Sequence, residues 1–152
     1  IGLVLRDRYL RLIALLVVVV LLVAACEGEK EATKERENSA QPATFTTVNV
    51  QDAHEQLDGN GGAIMVDVRE PDEWATTGYP PAARLIPLAQ FQQRAPDELP
   101  KDADIYLICN SGNRSAVASQ QLIDLSYTRV FNVEGGIQAW LKAGLPTEPY
   151  TP

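Results

Sequence analysis

The stretch IYLICNSGNRSAVASQQLIDL, residues 105–125, decides how this chain folds. Its first four residues, Ile105 to Ile108, form a short apolar run of the kind that makes a strand buried on both faces. From Arg114 to Leu125 the spacing turns helical, which predicts Val117, Leu122 and Leu125 on an inner face. Between strand and helix lies CNSGNRS, Cys109 to Ser115, a polar turn with a cysteine at its first position.

The same alternation continues outward in both directions. Phe45 to Val48 reads as a strand, and Asn49, with Asp52 three positions later, caps a helix through Leu57. Asp58 to Gly62 is a turn, and Ala63 to Val68 another buried strand. Pro71, Pro80 and Pro81 are expected to break up the next segment, leaving a short helix over Asp72 to Ala75. Arg84 to Ile86 is a brief strand, Leu88 to Arg94 a helix, and Val130 to Val133 a strand. A last helix, Ile137 to Lys142, is stopped by Gly144 and Pro146. Strands alternating with helices imply one α/β domain over 45–152, with a mainly parallel central sheet and helices on both faces. Such sheets place their chemistry beyond the carboxyl ends of the strands, where Asp67-Val68-Arg69 and Cys109 fall.

The loop has the parts that turn a thiol into a nucleophile. At the start of a helix the backbone N–H groups lack intrahelical partners, and the dipole favours negative charge. Gly112 permits the backbone angles of a tight anion nest, and Arg114 brings a permanent positive charge. All of these favour thiolate, so Cys109 is predicted to have a depressed pKa. The bland alternative is a small buried hydrophobe, which is the usual place of a free cysteine.

Residues 1–25 differ from the rest. Arg6, Arg8 and Arg11 precede the unbroken apolar run Leu12 to Ala25, which ends in small residues before Cys26. This is the pattern of a secretory signal peptide; the run is short of the ~20 residues a membrane span needs, although an uncleaved anchor helix is the alternative. Val23-Ala24-Ala25-Cys26 resembles the lipobox of bacterial lipoproteins, which implies cleavage before Cys26, acylation of its thiol, and a lipid-anchored extracytoplasmic or periplasmic location in the cell envelope. Because the chain begins at Ile1 and its one methionine is Met65, the start is expected to be a non-standard codon or an incomplete end. Residues 26–44, which mix Glu with Lys, Ser and Pro and lack aromatics, read as a solvated tether or a short exposed helix. Residues 1–25 hold three of the 13 basic and one of the 20 acidic residues, so 10 basic and 19 acidic remain from Cys26 onward, a net charge of −9. That excludes nucleic acid as the expected partner and leaves lipid, not a basic patch, as the means of membrane attachment. With Cys26 acylated, Cys109 has no cysteine to pair with.

With these residues in view, 45–149 resembles the rhodanese family of sulfurtransferases. The likeness is carried by Asp67-Val68-Arg69 followed by Glu73-Trp74, and by the cysteine loop ending Gly112-x-Arg114-Ser115. Gly135-Gly136-Ile137-Gln138-Ala139-Trp140 and the closing Ala143-Gly144-Leu145-Pro146 complete it. The resemblance implies that Cys109 takes the outer sulfur of a donor as a persulfide, with Arg114 as a second catalytic residue. Asn110, Ser111, Gly112, Asn113 and Ser115 would cradle the sulfur. Asp67 would hold the loop through Arg114, and Arg69 would pair with Glu73 in support; for Asp67 and Arg69 a plain structural ion pair is the alternative.

Cys109 to Arg114 spans six residues, as in sulfur-transferring members, whereas phosphatases and arsenate reductases on this fold have a loop one residue longer. Two departures stand out. Gly78-Tyr79-Pro80-Pro81-Ala82-Ala83 replaces the common Gly-His-Ile-Pro-Gly-Ala, and Asn110 stands where a basic residue is frequent, which weakens the case for the thiosulfate dianion. The alternative function is a non-enzymatic binding or sulfur-carrier module for an envelope partner. One histidine, His54, and one free cysteine cannot build a zinc site, so no metal or organic cofactor is expected. Expected partners are a small sulfur donor and an acceptor that is cyanide or a thiol, including a thioredoxin-like reductant; the expected state is a monomer.

Overall fold

The computed structural model describes residues 44–59 and 61–152. The leader, Cys26 and all of the tether except Thr44 lie outside the described residues. The elements run β1 (Thr46–Val48), α1 (Val50–Gly59), β2 (Ile64–Asp67), α2 (Pro71–Thr77) and β3 (Arg84–Leu85). Then follow α3 (Leu88–Glu98), β4 (Ile105–Ile108), α4 (Asn113–Asp124), β5 (Val130–Val133) and α5 (Gly136–Lys142). The five strands form one sheet in the order β1-β5-β4-β2-β3, every pair parallel, which is the expected α/β architecture.

The side-chain period of two sorts the strands into two cores. On one face Val66, Ile105, Leu107 and Val130 meet Phe91 and Ala95 of α3 and Ala118, Leu122 and Ile123 of α4. On the other, Met65, Tyr106, Ile108 and Val133 meet Val50 and Ala53 of α1 and Ile137 and Trp140 of α5. Fully burying a side chain such as Leu122 or Phe91 contributes roughly 1.5–3 kcal/mol, so the two layers together fix the sheet between its helices. No helix among the described residues is long and apolar enough to cross a membrane.

Local chemistry sets the element ends. Asn49 caps α1 as expected: its Oδ1 accepts the Asp52 N–H at 2.9 Å and its Nδ2 donates to Asp52 Oδ2 at 2.8 Å. Three details differ from the sequence expectation. Pro71 does not break a helix but starts one, at a position where a missing N–H costs nothing, so α2 extends to Thr77. Pro96 lies inside α3, which runs past Arg94 to Glu98; only the bond to the Gln92 carbonyl is forfeited, and Leu99 N–H still reaches Ala95 O at 2.9 Å. Val117 is 52 % exposed rather than inner, because α4 packs through Ser115, Ala118, Ser119, Leu122 and Ile123.

Register brings the chemistry together. Asp67 at the end of β2 lies opposite Ile108 at the end of β4. Both chains leave the sheet at the same edge, so Arg69 and the cysteine loop emerge side by side.

Candidate active site

Cys109 follows β4 directly, and its sulfur lies beneath the turn that starts α4. The residue is only 1 % exposed. Gly112 N–H donates to Sγ at 3.1 Å, and Ser115 Oγ lies 3.4 Å from it. Gly112 itself takes φ 101°, a left-handed conformation that side chains disfavour, and this turns its N–H back onto the sulfur. Burial pushes the Cys109 thiol up. The Ser115 hydroxyl, with the backbone N–H groups of Ser115, Ser111 and Gly112, outweighs that and holds it below its ordinary 9.0.

The outer side of the loop is tied down by α5. Ile137 N–H donates to Cys109 O at 2.8 Å and Gln138 N–H to Asn110 O at 3.3 Å. In a trans peptide the N–H points opposite the C=O, so holding these two carbonyls outward aims the following N–H groups inward. Gly136 makes the approach possible: a Cβ there would lie 2.4 Å from Cys109 O and 2.6 Å from Asn110 O.

For Asp67 and Arg69 the structure shows the plain ion pair given as the alternative, and the expected pairings of Asp67 with Arg114 and of Arg69 with the Glu73 carboxylate do not form. Arg69, not Arg114, meets Asp67: its Nε lies 3.0 Å from Oδ1 and its Nη2 2.6 Å from Oδ2, with both residues buried. Its remaining donors reach Thr77 Oγ1 and Gly78 O, each at 2.7 Å, and of Glu73 it touches only the backbone carbonyl, at 3.4 Å. Arg114 instead clamps the Glu73 carboxylate with two parallel bonds of 2.7 Å. The exchange has a plain cause: α2, begun at Pro71, presents Glu73 to the first turn of α4, while Asp67 lies only two residues from Arg69. Arg114's pKa is raised chiefly by Glu73, with the sulfur a smaller contributor. The loop amides and Ser115 therefore do most of what was expected of Arg114.

Glu73 also accepts the Glu70 N–H at 3.2 Å, so one carboxylate caps α2 and anchors the cysteine loop's helix. The Arg114 bonds hold its pKa below the ordinary 4.5, against the opposing effect of burial. A depressed carboxylate stabilises the fold above its unfolded value and loses that contribution as pH falls through the folded one. Glu73→Gln should therefore cost about 1 kcal/mol or less near neutral pH, the pair being partly exposed, and the deficit against the parent should shrink on acidification below 4.5. Thermal melts of both proteins across that range check it.

Of the other loop residues, Ser111 and Asn113 turn their side chains to solvent; Ser111 acts through its backbone. Asn110 borders a cleft of about 150 Å³ shared with Arg69, Asp72, Glu73, Thr76 and Thr77. The altered wall at 79–82 is tied to the C-terminal segment, with Tyr79 and Glu148 exchanging backbone bonds of 3.0 and 2.8 Å. His54 packs edge-on against Trp140, ring centroids 5.5 Å apart. Among the described residues no three His, Cys, Asp or Glu side chains gather to hold a metal ion. Two contributors went unread in the sequence. Thr77 completes the Arg69 shell, and buried Asn132 on β5 lies 2.7 Å from Ser115 Oγ. An asparagine in the apolar strand VFNV was the available signal for the second.

A family model described as Rhodanese-like domain matches residues 49–143. A protein of Allochromatium vinosum named Sulfurtransferase is 36% identical over 99 residues, 65% of this chain and 91% of its own. The crystal structure of a rhodanese-related protein from Thermoplasma volcanium superposes with a TM-score of 0.62 at 31% identity, covering 70% of this chain and 100% of that one. The solution structure of a polysulfide-sulfur transferase homodimer from Wolinella succinogenes superposes at 0.60 with 26% identity, covering 74% and 85% respectively.

Proposed function

The chain belongs to the rhodanese-like domain family, a sulfur-transfer family, and from that premise we propose that it carries sulfane sulfur as a persulfide on Cys109. The observation that supports this most is the cage around Sγ: a thiolate-favouring set of Gly112 N–H, inward loop amides and the Ser115 hydroxyl at the start of α4. The Cys109 thiolate attacks the outer sulfur of a donor, forming an S–S bond while the donor's own bond to that sulfur breaks. Sulfite leaves if the donor is thiosulfate, a thiolate if it is a persulfide. An acceptor thiolate or cyanide then attacks the terminal sulfur, and the Cys109 thiolate is the leaving group. No electrons are gained or lost overall. Arg114, locked to Glu73, fixes the helix start that forms the cage, and Asn110 borders the neighbouring cleft.

A persulfide donor suits the site better than thiosulfate. Both arginines near the loop are already paired with carboxylates, Asp72 and Glu73 line the adjoining cleft, and Asn110 brings no charge. The deep sulfur also favours a slender donor. Incubation with glutathione persulfide should add one sulfur to the chain, cyanide should remove it as thiocyanate, and thiosulfate should load it more slowly at equal concentration. Intact-mass spectrometry reads all three, and failure of every donor to add sulfur would sink the proposal.

The sequence supports an envelope location for this chemistry: a signal peptide over 1–25, lipid on Cys26, and a tether over 26–44. Metabolic labelling with a palmitate analogue in a bacterial host tests it, since labelling should vanish on Cys26→Ala.

A further inference from the structure

We propose that Asn132 is a positioning residue that reverses the hydrogen-bond direction of Ser115 as the Cys109 sulfur changes charge. The inference rests on Cys109 being the reactive sulfur, but its test does not depend on turnover. Ser115 Oγ has three neighbours: Asn132 Oδ1 at 2.7 Å, Gly112 O at 3.1 Å and Cys109 Sγ at 3.4 Å. A hydroxyl has a single proton, so it cannot serve all three at once. With Asn132 Oδ1 facing it, the shortest contact takes the Ser115 proton, and Ser115 turns only its oxygen lone pairs to the sulfur, which keeps the Gly112 N–H at 3.1 Å. That arrangement suits a thiol, whose S–H can donate to Oγ. It is wrong for a thiolate or a persulfide anion, which needs the hydroxyl proton itself.

An amide resolves the conflict because it offers an acceptor on one side and donors on the other. Turned by half a rotation about its last torsion, Asn132 presents Nδ2–H to Ser115 Oγ, and the hydroxyl proton is released toward sulfur. The chain then runs Asn132 N–H to Ser115 O–H to S⁻, each bond polarising the next. When the thiol ionises its proton leaves to solvent, the Ser115 hydroxyl reorients, and the amide turns; nothing else need move. Asn132 is 7 % exposed and sits on β5 between apolar neighbours, a costly place for an amide unless its polarity is used. In the structure Oδ1 is the amide atom that faces Ser115 Oγ. The charged groups flanking the relay are Arg114 on α4 and its partner Glu73 on α2, which stay paired in both states; Asp67 is likewise committed to Arg69.

The test is a pH titration of the ¹⁵N-labelled protein, following the Asn132 side-chain amide by NMR and Cys109 by its alkylation rate. The Asn132 amide resonances should shift with the same midpoint as the alkylation profile. In Ser115→Ala that shift should disappear although Cys109 still titrates; a mere through-space effect of the thiolate charge would survive there. Asn132→Ala should slow alkylation at neutral pH roughly three- to tenfold, the range a single hydrogen bond commands, and the slowing should be absent when Ser115→Ala is already present. An Asn132 signal that ignores the Cys109 midpoint, or one that still follows it in Ser115→Ala, overturns the relay. So does alkylation that Asn132→Ala leaves unchanged or accelerates in the folded variant. None of these outcomes bears on whether Cys109 accepts sulfur, which the persulfide loading test decides separately.

Discussion

Cys109→Ser is expected to abolish sulfur loading altogether while leaving the domain folded. The serine hydroxyl is far less acidic than a thiol and cannot form the S–S bond, so transfer to cyanide should fall by roughly a thousandfold or more, to the background of the solvent reaction. The fold should tolerate the change. Serine is slightly smaller, and its oxygen finds the partners the sulfur leaves: Gly112 N–H, 3.1 Å from Sγ, and the Ser115 hydroxyl. A stability loss of about 1 kcal/mol is expected from shortened reach and the poorer fit of a hydroxyl, well inside the margin of a stable domain. Intact-mass spectra after incubation with glutathione persulfide, paired with a thermal melt, give both readings on one sample. Sulfur that still loads onto the folded variant would place the carrier elsewhere. Cys26, a thiol wherever it is not lipidated, is then the other cysteine in the sequence, and peptide mapping identifies it directly.

The fold and the sulfur's place were legible because they depend on periodicity and turn chemistry. IYLI followed by a glycine-bearing polar turn has few structural solutions other than a buried strand feeding a helix, and β4, the loop and α4 follow it. What sequence could not tell was who meets whom. Asp67, Arg69, Glu73 and Arg114 were all visible, but their partners follow from where α2 starts. Pro71 read as a breaker, and only its position at the first helical turn puts Glu73 within reach of Arg114. Val117 was misplaced for a related reason. The inner stripe of α4 contains Ser115 and Ser119, whose hydroxyls hide it from a count of apolar residues, and Ser115 is buried because it serves the sulfur. Asn132 stood out only as a polar residue in an apolar strand: its value lies in one contact from β5 to Ser115 on α4, and no spacing rule encodes that contact. Function was thus most hidden where polar residues occupy apolar positions.

The Asp67–Arg69 pair shows how much of the site's geometry depends on such a residue, and Asp67→Ala should be the most destabilising single change near it. Arg69 is 1 % exposed and Asp67 is fully buried, so the carboxylate neutralises a guanidinium that has no access to water. It does so with three side-chain contacts of 2.6 to 3.0 Å and also accepts the Arg69 backbone N–H at 3.0 Å. Removing it leaves that charge buried and half-unpartnered, which typically costs about 3–5 kcal/mol. In a domain of about a hundred residues this lowers the melting temperature by roughly 15–30 °C. The damage should extend to chemistry. Arg69 ties Thr77 and Gly78 at the end of α2 to the end of β2, and α2 carries Glu73, which clamps Arg114 at the start of the loop's helix. The sulfur cage should loosen, and sulfur loading should slow even at temperatures where the variant is folded. The double variant Asp67→Leu with Arg69→Met separates charge from position. Because an apolar pair of similar volume carries no desolvation penalty, it should recover most of the lost stability. It cannot restore the bonds to Thr77 and Gly78, so loading should stay slow. Recovery of both stability and loading in the double variant would mean that the pair merely fills space. Recovery of stability alone would show that Arg69 holds α2 where the loop requires it.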